Sequence, residues 1–350
     1  MNEPKRIPLF FPGQSSLQNR TITVLAGDVG GTKTNLALYK TADGRLELIC
    51  EATYHSTAYS SCIDILQQFL KESEISGKPA PSRICLGVAG PVVLGKVEIT
   101  NLSWNLDLEE IRKASGLTDV FLINDLEATA YGLAGLEMAD LISIHETGVD
   151  HKGNIAIIAP GTGLGEAGLF WDGSSYHPFS TEGGHTDFAP RTEMDIELFH
   201  FLQKKYGIVS WERVIAGPAI HDIYQFLLEI KKRGQPAWLK EALLQEDPSA
   251  LISQTAIEEK DQTCIETLQI FVRYLARESS NLSLKMKATG GLYLGGGIPP
   301  KISALLQYNV FYDNFLDCDR MQHLLKNIPI KIILNSNTAL LGAGYFAAYG

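Results

Sequence analysis

The chain of 350 residues has no apolar run near the roughly 18 residues that a membrane-spanning helix needs. Cysteine is scarce: Cys50, Cys62, Cys85, Cys264 and Cys318 are scattered and form no C-x-x-C. An odd, dispersed set supplies neither a disulfide framework nor a structural zinc site, and reads as reduced thiols in a cytoplasmic protein. Clustered positive charge is also missing. A net charge of −10 argues against a nucleic-acid or anionic-membrane surface. Any polyphosphate would have to be held by backbone N–H groups and a metal. Lys5 and Arg6 precede IPLFFPG, an apolar run too short and too Pro-interrupted for a signal peptide. Residues 1–20 read as a loosely held N-terminal extension. The terminal AAYG is no peroxisomal address, and no segment is of low complexity.

What is present suits a globular enzyme, with 45% hydrophobic and 20% charged residues, at a length that accommodates about two domains. From residue 22 the sequence alternates with period two, which predicts strands over 22–27 and 34–40 around a glycine-rich turn, and Asp43-Gly44 marks a second hairpin. Residues 61–72 carry helical spacing. RICLGVAGP and VFLIND read as buried strands, and LEATAYGLAGL as the helix that follows. The plan then returns. NIAIIAPGTGLGEAGLFWDGSSYHPF is again strand, glycine turn, strand, Asp-Gly turn, strand. Two copies of one supersecondary plan predict two similar α/β lobes whose glycine turns face a shared cleft. Downstream, helices are expected up to Gly207, after Gly217-Pro218 and over 254–288, with a polar connection from Gln235 to Pro248. GGLYLGGGIPP and IPIKIILNSN read as strands, and TALLGAGYFAAYG as a final helix.

The first turn, AGDVGGTKT, lacks the Walker A spacing and opens a strand rather than a helix. Gly27, Gly30 and Gly31 would let backbone N–H groups approach phosphate, and Thr32 adds a hydroxyl. Asp28 then calls for a cation, Mg2+ held through water, between the carboxylate and the phosphates; the competing reading is a turn aspartate. The second turn contains Gly163-Leu-Gly165-Glu-Ala-Gly168, formally G-x-G-x-x-G. A dinucleotide site needs a helix after that loop, and a strand is expected here. Gly161, Thr162 and Gly163 suit a phosphate-cradling hairpin better.

Asn124-Asp125 stands at the end of a strand, where ligands of α/β proteins gather. Asp125 could take a proton from a substrate hydroxyl, or the pair could simply cap a helix. Glu182-Gly-Gly-His185 offers an acid and an imidazole to sugar hydroxyls, or is a polar turn. Glu212, taken alone, reads as a first-turn helix acid rather than as a ligand. Glu166 is uninterpretable, since a strand position allows either face.

Taken together, GDVGGT, TNLSWNLDL, NDLEATAYGL, PGTGLGEAG, EGGHTDFAP, ERVIAGPA and GGLYLGGGIPP occur in the order seen in bacterial-type glucokinases, and from Thr23 onward the chain resembles that family. The resemblance implies a two-lobed, ribonuclease-H-like α/β fold of the actin and hexokinase type, with a nucleotide and sugar cleft between lobes. It implies a small domain at 21–135 plus 335–350 and a large one at 136–334. It assigns Asp125 as catalytic base, and Asn124, Glu182, His185, Glu212 and Asn101 as sugar ligands. Gly27–Thr32 and Gly161–Gly163 would bind phosphate, and Gly295, Gly296 and Gly297 would lie near the adenosine. ATP and Mg2+ are the implied cofactors, glucose the substrate and a homodimer the assembly. Departures are Lys33 after the first turn, Glu166 where an apolar residue is common, and the absence of the zinc cysteines of the repressor-and-kinase group. Other readings are a kinase for another hexose or an amino sugar, a sugar sensor without activity, and an ATPase that needs no sugar.

Overall fold

The computed structural model describes residues 7–12, 21–42, 44–99, 102, 104–148 and 152–350. The chain divides into two compact units. The first takes Met1–Asp140, Leu169–Ser180 and Asn335–Gly350, and the second Leu141–Gly168 and Thr181–Leu334. The expected partition gave residues 169–180 to the larger domain; in the structure they group with the first unit.

Strands β1 (Thr23–Val29), β2 (Lys33–Ala42), β3 (Arg45–His55), β4 (Arg83–Val88), β5 (Lys96–Glu98), β6 (Asn105–Asp107) and β7 (Val120–Asn124) belong to the first unit. Five of them form one sheet in the order β3-β2-β1-β4-β7, and β5 pairs with β6 alone. β1 runs antiparallel to β2 and parallel to β4, and β4 parallel to β7. β4 is buried along its whole length, as a central parallel strand must be. The helix Cys62–Ile75 starts at Ser61, whose hydroxyl accepts from Asp64 N, and buries Ile65, Leu66 and Phe69 in this core.

β8 (Leu141–His145), β9 (Ile155–Pro160), β10 (Leu164–Trp171), β11 (Tyr176–Thr181), β12 (Gly291–Leu294) and β13 (Ile330–Ile333) form the second sheet, in the order β11-β10-β9-β12-β13-β8. β9–β12 and β12–β13 are parallel, and β8 is antiparallel to β13. Without the edge strand β8 the order matches that of the first sheet: three hairpin strands in reverse, then two parallel ones. The repeat read in the sequence is therefore a repeat of topology. Helices Glu193–Tyr206, Gly217–Glu229 and Gln262–Met286 enclose the second core, with Leu198, Phe226 and Phe271 fully buried.

Three expectations need correction. Residues 7–12 are not loosely held: Phe10 N donates to Tyr176 O and Tyr176 N to Pro8 O, at 2.9 and 2.8 Å. Phe11 is buried against Tyr131 and Tyr349, with ring centroids 5.2 and 5.7 Å away. Leu9 and Phe11 of the apolar run are buried on the first unit, while Phe10 stays exposed. The polar connection at 235–248 contains a helix, Ala237–Ala242, which buries Leu239. The helix expected over 254–288 is two, Pro248–Ile257 and Gln262–Met286. Glu259 takes a positive φ between them, and Asp261 caps Cys264 N at 2.8 Å. Asp43 lies outside the described residues. Among these residues no helix is long and apolar enough to cross a membrane, and all five cysteines are free.

Candidate active site

In the first unit the turn between β1 and β2 is braced from beneath. Gly30 N donates to Lys33 O at 3.0 Å, Ser56 Oγ donates to Gly30 O at 2.8 Å, and Ser56 N donates to Thr32 O at 3.0 Å. Ser56 is buried, and both its amide and its hydroxyl serve the turn. Gly31 is half-buried, and Thr32 and Lys33 are exposed. Gly27 has a different reason to be glycine than phosphate approach: a Cβ there would overlap Leu86 Cδ2 and come within 2.9 Å of Leu36 Cδ2. Asp28 pairs in register with Asn35 across the hairpin. Thr53 Oγ1 donates to Asn35 Oδ1 at 2.8 Å, and Asn35 Nδ2 donates to Asp28 Oδ2 at 3.4 Å. Burial pushes the Asp28 carboxyl above its ordinary range, and the Asn35 bond opposes this.

β7 ends in Asn124, and Asp125 is the first residue of the helix Asp125–Gly132. Asn124 Oδ1 accepts from Leu126 N at 2.9 Å and Glu127 N at 3.3 Å, while Nδ2 donates to Gly90 O at 3.1 Å. Asn124 therefore caps the helix, with one amide hydrogen left for a ligand. Asp125 Oδ1 accepts from Leu126 N at 2.9 Å, and the carboxyl group, half-buried, stands at the positive end of the helix dipole. Glycines seat this helix. A Cβ on Gly87 would come within 2.9 Å of Ala128 Cβ, and one on Gly342 would overlap Ala128 O. Asn101 lies outside the described residues.

In the second unit Gly161 N donates to Gly163 O at 2.8 Å across the turn between β9 and β10, and Gly217 N donates to Gly161 O at 2.8 Å. Glu212 Oε2 accepts from Leu164 N at 3.0 Å and lies 2.7 Å from where a Cβ on Gly163 would be. Thr162 is exposed. The Gly295–Gly297 segment adjoins this turn: Gly295 N donates to Ile158 O at 2.9 Å, and a Cβ on Gly161 would meet Gly297 N at 3.9 Å. Gly296 has φ +79 and abuts Pro160 O, whereas a Cβ on Gly297 would meet nothing within 4 Å. The three glycines thus have different reasons to be there, and Gly297 leaves open space.

Glu182-Gly-Gly-His185 is not a simple turn but ends in a 3-10 turn, Gly183–His185. His185 Nε2 lies 4.0 Å from Glu182 Oε2, and both side chains are more than half exposed. Trp211 N donates to Thr186 O at 2.9 Å and Phe188 N to Val209 O at 3.0 Å, so this segment pairs with the one that carries Glu212. G-x-G-x-x-G runs on into β10 with no helix, which removes the dinucleotide reading. Among the described residues no group of three or more His, Cys, Asp or Glu could hold a metal alone. Asp28 fits a cation that arrives with phosphate ligands of its own: it is a desolvated carboxyl group whose hydrogen-bond partner is a neutral amide.

Sequence reasoning missed Ser56, Asn35 and Gly90, because their roles come from strand register and a crossover that spacing does not reveal. It also left Glu166 unread, although an acid in the apolar strand LGEAGLFW was a signal.

The Glucokinase family model matches residues 25–349. A glucokinase of Nostoc punctiforme is 40% identical over 339 residues, covering 93% of this chain and 98% of its own. The crystal structure of a glucokinase from an Antarctic psychrotroph superposes with TM-score 0.80 at 29% identity, covering 95% of this chain and all of its own. A Streptomyces griseus glucokinase, solved with glucose and AMPPNP, shares the fold at TM-score 0.61 and 18% identity, covering 94% and 100%.

Proposed function

The chain belongs to the glucokinase family and catalyses ATP-dependent phosphorylation of glucose, and we propose that Asp125 is the base of that reaction. The observation that carries this assignment is its place: the first helical residue after β7, held by an Asn124 cap and by close glycine packing behind it. The Asp125 carboxylate takes the proton of the C6 hydroxyl, that oxygen attacks the γ-phosphorus in line, and the bond to the β-phosphate oxygen breaks to give glucose 6-phosphate and ADP. Phosphoryl transfer asks mainly for positioning and charge neutralisation, and a well-placed base adds about 10²- to 10⁴-fold.

Glu182, His185 and Glu212 bind sugar hydroxyls, with the remaining Asn124 amide hydrogen and Asn101 as further partners. Acceptors desolvated by the bound sugar and left unpaired would reject sugars that lack those hydroxyls by about 10⁴-fold. The backbone of Gly30–Thr32 and Gly161–Gly163 receives the phosphates, and Gly297 leaves room near the adenosine. Asp28 would hold Mg2+ through water. When bound, that ion neutralises charge on the phosphate oxygens. Free thiols support work in the reducing cytoplasm.

The test is ADP release from Mg-ATP with and without glucose, then across a hexose panel. Strong stimulation by glucose with glucose 6-phosphate formed is the expected result. Release indifferent to every sugar would favour a plain ATPase, and no turnover with sugar-dependent thermal stabilisation a sensor.

A further inference from the structure

We infer that Glu166 is a positioning residue for the sugar-binding turn: its carboxyl group, wedged between Gly183 and Glu278, fixes where Glu182 and His185 stand. The inference rests on the reading of those two residues as sugar ligands.

Glu166 lies in β10, an otherwise apolar strand, and is 1% exposed. A Cβ on Gly183 would overlap its Oε2, and a Cβ on Gly184 would overlap Leu164 O. The turn therefore rests directly on β10. Thr181 ties the two together a second time: its hydroxyl donates to Glu166 O and accepts from Gly183 N, both at 3.2 Å. On the other side stands Glu278 of the helix Gln262–Met286, fully buried and near enough to interact with the Glu166 carboxyl group. Glu278 accepts from Asn281 Nδ2 at 2.8 Å and from Lys285 Nζ at 3.4 Å.

Two buried carboxyl groups near enough to interact cannot both ionise cheaply, and a proton shared between them would relieve that cost. Oε1 of Glu166 has no donor among the described residues, and a shared proton supplies one. Burial, and then the Glu278 charge, push the Glu166 carboxyl up to about 8 against the opposing effect of Lys285. Burial raises Glu278 as well. The charged groups that act on Glu166 are Glu278 and Lys285, both on the helix Gln262–Met286. Below the Glu166 pKa one proton joins the pair. Above it both carry charge, and Glu166 is driven toward Gly183, displacing the turn.

The experiment is steady-state kinetics of wild type, Glu166→Gln and Glu166→Ala over a pH range that brackets about 8, with glucose binding measured by calorimetry. In wild type the glucose KM and Kd rise on the alkaline side, while the ATP KM does not follow. Glu166→Gln keeps shape and hydrogen bonding without the charge, and flattens that alkaline rise. Glu166→Ala lifts the glucose KM about tenfold or more at every pH, with kcat and ATP KM little changed. An alkaline rise in Glu166→Gln identical to that of wild type overturns the inference, as does an equal rise of both KM values in Glu166→Ala. If the alanine variant fails to fold, the glutamine profile alone decides. A wild type without glucose-dependent ADP release sinks the glucokinase reading instead. An active wild type with Glu166 variants that behave identically to it sinks only this inference.

Discussion

Glu212 Oε2 accepts a hydrogen bond from the backbone of Leu164 at 3.0 Å, so a candidate sugar ligand is also the pin of the second glycine turn. Its removal acts on both substrates. Glu212→Ala is expected to raise the KM of ATP as well as of glucose and to cost about 1–3 kcal/mol of stability for the amide left unpaired. Glu212→Gln keeps the acceptor and spares the ATP KM. A rise confined to glucose in the alanine variant would show that the turn does not need the pin.

Among the described residues Glu182 and His185 hold no such backbone post, and both stand more than half exposed. Glu182→Gln and His185→Ala are expected to raise the glucose KM far more than the ATP KM, with unchanged melting temperature. Equal rises would mark them as structural.

Asp125→Ala is expected to lower kcat by about 10²- to 10⁴-fold while glucose binding, read by calorimetry, persists. Near-normal turnover would end its assignment as base. Asn124→Ala should instead cost about 1 kcal/mol of stability through the lost cap, seen in chemical unfolding.

Neighbouring glycines separate packing from ligand space. Gly296→Ala is expected to destabilise the fold, because φ is +79 and Pro160 O lies 2.5 Å from the added carbon. Gly297→Ala meets nothing within 4 Å among the described residues; it is expected to leave the melting temperature unchanged and to raise the ATP KM. Equal losses of stability would remove Gly297 from the nucleotide site.

Two buried acids give stability opposite pH slopes. Asp195 is desolvated, which would raise it, but the Arg191 amide, Arg277 and Tyr274 outweigh burial and bring it down to about 2. Its contribution is complete above the unfolded value and is lost as pH falls through about 2. Glu166 is raised, so its contribution is complete below its unfolded value and is lost as pH rises through about 8. Urea unfolding across pH should lose, in Glu166→Gln, the fall in stability that runs from the unfolded carboxyl value up to about 8. Asp195→Asn strands Arg277, at 2.7 Å from its partner, and should cost about 3–5 kcal/mol.

The repeated strand–glycine turn–strand pattern was legible because period-two alternation and turn glycines are local signals, and it carried the three hairpin strands that open each sheet. The reasons for individual glycines were not. Gly27 serves contact with Leu86, a residue from another strand, although its spacing looks like that of a phosphate turn. Asn124 was read both as cap and as ligand, and its geometry fills most of its bonds as a cap. Phe11 and Leu239 were invisible as core residues because the surfaces they cover come from distant parts of the chain. Glu166 could be weighed only once Gly183 and Glu278 were beside it.

The Gly132 and Gly342 contacts seat the helix that begins at Asp125 on the helix Thr338–Tyr349, and Arg83 reaches Gly350 O at 2.8 Å. During synthesis on the ribosome, residues 335–350 are made after the whole of 141–334. The first unit, though its strands emerge earliest, thus waits for its last helix, and the second unit has all its residues before the first does. The Asp125 carboxyl group acquires its seat only once residues 338–349 have been made.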